Sequence, residues 1–210
     1  MGAFPAKAID PVFDLSSAGL RMTFEEFEAV ENYCEIYDYE LVDGVLVVRP
    51  TLDDANCAVS EEMSYLLRRY RDEHPCGEEM SQTVYGHYIR TSRGYRRAHR
   101  VIWTGLLRRP HRRKDVPSIV IELVTLGRRA FLDEYRIQAE EFHALGVREF
   151  WLFDRYRRTL TVYCRPPIEP APLVVPEDET YATPLLRGFI LAVRDLLTVA
   201  DQHAEEEDLI

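Results

Sequence analysis

The sequence predicts an α/β fold in which a mixed central β-sheet is flanked by helices, and three observations carry that prediction. Residues 118–124 (SIVIELV) form a nearly continuous apolar run of strand length, the pattern of a central strand covered on both faces. Two segments, about 54–73 and about 130–145, repeat apolar residues at helical spacing. Around them lie paired strand-like runs joined by turn residues, so the elements follow the order αββαββ(β)αββα.

Residues 22–32 (MTFEEFEAVEN) read as a short amphipathic helix, with Thr23 as N-cap and Glu26 completing a capping box. In YELVDGVLVVRP, Asp43-Gly44 between apolar stretches signals a hairpin with a tight primed turn. The helix over 54–73 carries Val59, Met63, Leu66 and Tyr70 on one stripe and stops at Pro75 and Gly77. QTVYGHYIR and YRRAHRVIWTG are strand candidates, followed by the basic loop LLRRPHRRKD and the apolar run 118–124. The helix over 130–145 ends at Gly146, and REFWLFD with RTLTVYC makes a further hairpin. A Pro-rich loop leads to GFILAVRDLL, read as a helix or 3-10 turns. Residues 21–200 are expected to form one domain, after an extended arm over 1–20 and before a frayed acidic tail over 201–210.

Composition narrows the function classes. No apolar run approaches the roughly 18 residues that suggest a membrane span, and no export signal precedes the domain, so a cytoplasmic, membrane-free protein is expected. Cys34, Cys57, Cys76 and Cys164 are far apart and form no CxxC pair, which argues against zinc and disulfides and for reduced core thiols. The net charge of −10 weighs against a nucleic-acid partner, but the charge is segregated. Arg90, Arg93, Arg96, Arg97, Arg100, Arg108, Arg109, Arg112, Arg113 and Lys114 follow one another without an acid, and Arg128 and Arg129 come soon after. Such a stripe suits phosphates and equally suits a solvated loop.

Three residues break their own pattern. Glu122 interrupts Ile119, Val120, Ile121, Leu123 and Val124. A carboxylate in a central strand costs several kcal/mol unless paired, protonated or bound to metal, so it is either a structural ion-pair member or a metal ligand. Gln138 interrupts the helical stripe Phe131, Tyr135, Phe142 and Leu145, and must be a satisfied core amide or part of a site. Glu40, beside Tyr39 and Leu41, is weak evidence by itself.

In order, FEEFEAV, YELVDGVLVV, SIVIELVTLGRR, DEYRIQAEEFHALGVREFWLFDRYRRTLTVY and PLLRGFIL resemble the Uma-type restriction endonucleases of the PD-(D/E)xK nuclease superfamily, over about residues 22–197. The resemblance implies a restriction-endonuclease-like fold, DNA as substrate, and a divalent ion, Mg²⁺ or Mn²⁺, held at a sheet end by carboxylates with a lysine on the next helix. Matched by position, Glu122 is the E-x-L glutamate and Glu40 the early one. The PD aspartate falls at His99, and the lysine at Gln138. The chain has only two lysines, Lys7 and Lys114, and neither is on the helix after Glu122; Lys114 could reach in from its loop, or Arg136 replace the charge.

Two functions follow as expectations. In one, a divergent DNA endonuclease holds metal with Glu122, Glu40 and His99, positions water with Gln138, and binds phosphates through Arg96, Arg97, Arg100, Arg112, Arg113, Lys114, Arg128 and Arg129. In the other, a catalytically silent relative keeps the fold and the basic surface as a DNA-binding or regulatory protein. A dimeric scaffold without a nucleic-acid role is a third reading. The aromatic hairpin WLFDRYRRTLTVYC is a candidate for pairing across a homodimer axis.

Overall fold

The computed structural model describes residues 12–128, 132–165 and 171–204. They divide into two compact units, one comprising the chain up to residue 51 together with 93–96, the other 52–92 and everything from 97 onward.

The smaller unit is built on a hairpin. β1 (Tyr37–Val42) pairs antiparallel with β2 (Val45–Pro50), and Leu41 and Val42 also pair with Tyr95 and Gly94 at the start of β4 (Gly94–Thr104). Asp43 and Gly44 both take positive φ, 51° and 75°, which is the type I′ geometry whose twist matches the flanking strands. At Gly94 a side chain would run into the carbonyl oxygen of Leu41, so only glycine permits this approach. The helix α1 (Phe24–Glu28) has the Thr23–Glu26 capping box but ends earlier than its sequence span. Residues 12–20 do not form a free arm. Phe13 packs with Tyr39 and Leu46, and its carbonyl accepts from the Tyr39 hydroxyl at 2.7 Å, because this apolar seat outweighs solvation of an extended segment. Residues 1–11 lie outside the described residues.

In the larger unit the strand order is β3 (Met80–Arg90), β4, β5 (Ile119–Leu123), β6 (Glu149–Asp154), β7 (Thr159–Cys164) and β8 (Leu173–Pro176). β5 and β6 are parallel, joined through the crossover helix α3 (Leu132–Leu145), while β4–β5, β6–β7 and β7–β8 are antiparallel. A separate pair, β9 (Thr180–Ala182) and β10 (Ile190–Ala192), precedes α4 (Val193–His203). α2 (Asp54–Glu73) has the predicted boundaries, with Asp53 as N-cap accepting from the Asn56 amide.

Two cores explain why residues 118–124 read as uninterrupted apolar sequence. Ile119, Ile121 and Leu123 join residues of α2 and α4, including Val59, Met63, Leu67, Leu196 and Leu197. Val120 and Val124 join Tyr135, Ala139 and Phe142 of α3. Side chains alternate across a strand, so Glu122 shares the α3 face. The stripe of α2 turns slightly from its sequence reading, because Leu67 is fully buried and Leu66 packs at the margin.

Among the described residues the hairpin of β6 and β7 is paired on both sides, by β5 and β8, and its Phe150, Trp151 and Phe153 are buried. The cysteines are free thiols as expected, yet Cys57 is exposed and the other three are half-buried, so they are not core residues.

Candidate functional site

The site lies where β4 and β5 stop pairing through their main chains. Their register runs from Ile102↔Ile119 to Arg100↔Ile121. Beyond it, the amide of Leu123 donates to Nδ1 of His99 at 3.1 Å, so a side chain takes over from the ladder. The same Nδ1 lies 2.5 Å from Oε2 of Glu122. Glu122 is 1% exposed, and its other oxygen, Oε1, accepts from Nε2 of Gln138 at 3.4 Å. Oε1 of Gln138 in turn accepts from Nη2 of Arg128 at 3.4 Å. His99, Glu122, Gln138 and Arg128 thus form one chain of contacts on the α3 face.

Each member is positioned by an element. Glu122 is on β5 and His99 is its cross-strand neighbour on β4; Gln138 is on α3 in register with Tyr135 and Phe142, so the core that seats those rings turns the amide inward. Arg128 closes the 3-10 turn Leu126–Arg128, and its guanidinium lies over the Tyr135 ring at 4.1 Å.

Glu40 is in the smaller unit, where Arg49 and Arg96 face its carboxylate at 3.4 and 3.6 Å. It is a buried acid met by arginines, a pairing that the sequence left open for Glu122 and did not signal at Glu40. Among the described residues no group of three or more His, Cys, Asp and Glu side chains is arranged to hold a metal ion.

A divalent ion is therefore tested against the donors present. Two ligands of one ion at right angles sit about 3 Å apart, since each bond is about 2.1 Å long. Nδ1 of His99 and Oε2 of Glu122 are closer than that, at 2.5 Å, the span of a direct contact between the two groups and too short for two ligands of one ion. Nδ1 has one in-plane position, and Glu122 and the Leu123 amide both point at it, which leaves that nitrogen no lone pair for a cation, so only Nε2 of the ring could ligate one. With one carboxylate, one imidazole bonded at Nδ1 and one amide, the set does not fit Mg²⁺, which demands hard oxygen ligands.

The basic stripe is dispersed by folding. Arg100 is buried and donates to Ser60 and Ser64 of α2 and to Thr83 of β3, and burial pulls it down to about 10. Arg96 is buried beside Glu40, and Arg97 lies over the Tyr88 ring. Arg129 lies outside the described residues. Arg109, Arg112, Arg113 and Lys114 stay exposed in the turn between β4 and β5. That turn precedes Ile119, whereas Glu122 is at the other end of the strand, so the two are separated by roughly 10 Å or more. Lys114 cannot stand in for the missing lysine. Arg136 is also occupied elsewhere, in an exposed pair with Glu140.

The turn has its own order. The Asp115 carboxylate accepts from Arg108 and from the His111 amide, which holds its carboxyl well below the usual carboxylate range. A depressed acid contributes above its unfolded pKa and loses that contribution as pH falls through the folded value. The turn is therefore expected to keep its amide protection in hydrogen exchange through the ordinary carboxylate range, and Asp115→Asn to lose it at all pH values. Equal protection in the variant contradicts this account of the turn.

Sequence reasoning overlooked other buried acids. Glu149 accepts from Trp151, Tyr181 and Thr183 at 2.8 to 3.0 Å, and Asp154 accepts from the Tyr156 and Arg157 amides at 3.0 Å. Neither interrupts an apolar run as Glu122 does; in REFWLFD they flank FWLF, beside Arg148 and Arg155, so no sequence signal marks them as buried. Among the described residues no helix is long and apolar enough to cross a membrane.

Comparison with known proteins agrees with this geometry at the level of fold and family. A solved structure titled as a "putative nuclease belonging to DUF820" from Anabaena variabilis superposes with a TM-score of 0.69 at 14% identity, covering 85% of this chain and 99% of that one. At that identity the likeness speaks for the fold. No curated protein matches the chain. The family model Uma2 matches residues 24–194, which include β1 through β10 and the start of α4. The chain therefore belongs to the Uma2 family, described as "Putative restriction endonuclease".

Proposed function

We propose that this protein binds DNA on a restriction-endonuclease scaffold whose Glu122 centre is closed to divalent metal, so that metal-dependent phosphodiester hydrolysis is silenced. The observation that carries this reading is the double engagement of His99 Nδ1 by Glu122 and the Leu123 amide. Hydrolysis by this fold needs carboxylates for the ion, a water made nucleophilic, and positive charge for the developing phosphorane. Gln138 can orient a water but neither accepts its proton nor supplies charge. Nucleic acid is favoured as partner by the family and by the exposed cations Arg109, Arg112, Arg113 and Lys114.

A second reading, an endonuclease running on Mn²⁺, is favoured by the retained Glu122 and by the imidazole at 99, a better ligand for Mn²⁺ than for Mg²⁺. Plasmid and duplex oligonucleotides incubated with Mg²⁺ and with Mn²⁺ separate the two, alongside binding measured against salt. The expected result is no cleavage with either ion, and binding whose log K falls with log salt at a slope of about −3 to −4 if the four turn cations meet phosphates. Cleavage that disappears in Glu122→Ala would establish the second reading, and salt-independent or absent binding would remove the DNA partner.

A further inference from the structure

Arg128 has a position that no structural role fully accounts for. It is 9% exposed, and Nε is buried with no hydrogen-bond acceptor among the described residues. Its two polar contacts are long, 3.4 Å to the neutral amide oxygen of Gln138 and 3.7 Å to the half-exposed carboxylate of Glu134. Charge-assisted contacts of arginine with a carboxylate or phosphate settle at about 2.7–2.9 Å. Arg158 does so, at 2.6 and 2.8 Å from the oxygens of Glu177, whereas the longer arginine contacts of Glu40, at 3.4 and 3.6 Å, are at least to a carboxylate that is itself buried. Among the described residues this buried cation is held only by long contacts, and such a cation pays for desolvation without a matched counter-ion unless an anion completes it.

The packing also fixes where that anion would meet it. The Tyr135 ring at 4.1 Å limits rotation of the guanidinium plane, and Gln138 ties one edge of it to the Glu122 end of the cluster. A rigid fork of this kind matches two oxygens of a phosphate, with the amide of Gln138 beside it as a further donor or acceptor. A carboxylate ligand would offer two oxygens to the fork but none beyond them, whereas a phosphate has further oxygens to meet the Gln138 amide.

Building on the DNA-binding reading above, we infer that Arg128 is the phosphate-binding residue of this centre, taking one backbone phosphodiester of bound DNA, and that Glu134 is its resting counter-ion, displaced when the phosphate arrives. Positive charge reaches the site from the turn after β5, not from the helix position 138. Glu134 competes with the ligand, so the two side chains have opposite effects on affinity, which a purely structural ion pair does not produce.

The test uses the full chain and a short fluorescent DNA duplex, with inorganic phosphate as a competing probe. Arg128→Ala is expected to weaken duplex binding about tenfold, and Arg128→Lys to recover only part of it because the fork is lost. Glu134→Gln is expected to tighten binding about threefold. Millimolar phosphate is expected to compete with the duplex on the parent protein and to lose most of that effect on Arg128→Ala. If Arg128→Ala does not fold, the Lys and Gln variants still decide. Parent and all variants binding duplex equally overturns the role of Arg128, as does weaker binding by Glu134→Gln. A parent that binds no DNA overturns the underlying functional reading, and phosphate protection against thermal unfolding, lost in Arg128→Ala, then shows whether the anion site stands alone.

Discussion

His99→Asp is expected to give the protein a divalent-metal site that the parent lacks. Residue 99 and Glu122 are cross-strand neighbours at the end of the β4–β5 ladder, which places their Cβ atoms about 5 Å apart. Two carboxylates at that separation converge on a space that accepts a cation, whereas an imidazole and a carboxylate there bond to each other, as they do at 2.5 Å. Two like charges in a dry site also repel, so the ion becomes the counter-charge that stabilises the folded variant. Mn²⁺ at a hundredfold excess over its dissociation constant adds about 2.7 kcal/mol, which raises Tm by about 5–10 °C for a chain of this size. The parent is expected to show no such rise. Adding Gln138→Lys to the variant brings an ammonium beside Oε1 of Glu122, and Mn²⁺-dependent nicking of plasmid is expected only in this double variant. A His99→Asp protein that folds but melts at the same temperature with and without Mn²⁺ contradicts the argument.

Glu149→Ala is expected to be the most destabilising single change at a polar position. Glu149 is 3% exposed and accepts from the Trp151 indole, the Tyr181 hydroxyl and the Thr183 hydroxyl. Its removal leaves these buried donors without an acceptor at the junction of β6 with β9, and burial together with the adjacent carboxylate is what holds the Tyr181 hydroxyl far above its usual range. Breaking such a network costs about 3–5 kcal/mol, or about 10 °C in Tm for this length. Glu149→Gln keeps an acceptor oxygen and is expected to recover roughly half of the loss. Thermal and urea unfolding followed by tryptophan fluorescence measure both. A loss below 1 kcal/mol for the alanine variant would falsify the structural role of this network.

Much of the fold was legible because its signals are local. The Asp43-Gly44 turn requires positive φ, Thr23 and Glu26 cap each other, and Pro75 and Gly77 stop α2. The inward side of Gln138 followed from helical register alone, since the core packs the stripe that contains it. What periodicity could not supply was partnership across distant segments. Glu122 stands inside an apolar run, whereas Glu149 and Asp154 stand at the ends of theirs beside Arg148 and Arg155, and only the fold shows that both are buried and satisfied by hydroxyl, indole and amide donors. Adjacency in sequence likewise overstated the basic stripe. Alternation along β4 sends Arg100 beneath α2, and the antiparallel return from β4 to β5 carries Arg112, Arg113 and Lys114 away from Glu122. Arg128 lies nearest the cluster, and no pattern distinguished it from its neighbours because its place depends on a 3-10 turn and the ring of Tyr135.

Membership of a nuclease family does not by itself supply a working metal centre. The scaffold, the strand carrying Glu122 and the helix packed on it are in place, while the two positions that would complete the chemistry are filled by His99 and Gln138, which bond to the remaining glutamate. On the proposed reading this site holds a phosphate and does not cleave beside it.

Calorimetric titration of the parent protein with Mn²⁺ examines this most directly, because it needs neither a DNA target nor turnover. The expected trace is heat of dilution alone, identical for the parent and for Glu122→Ala. A saturable binding isotherm in the parent that vanishes in Glu122→Ala would show that the glutamate releases His99 for a cation, and the closed centre would have to be given up.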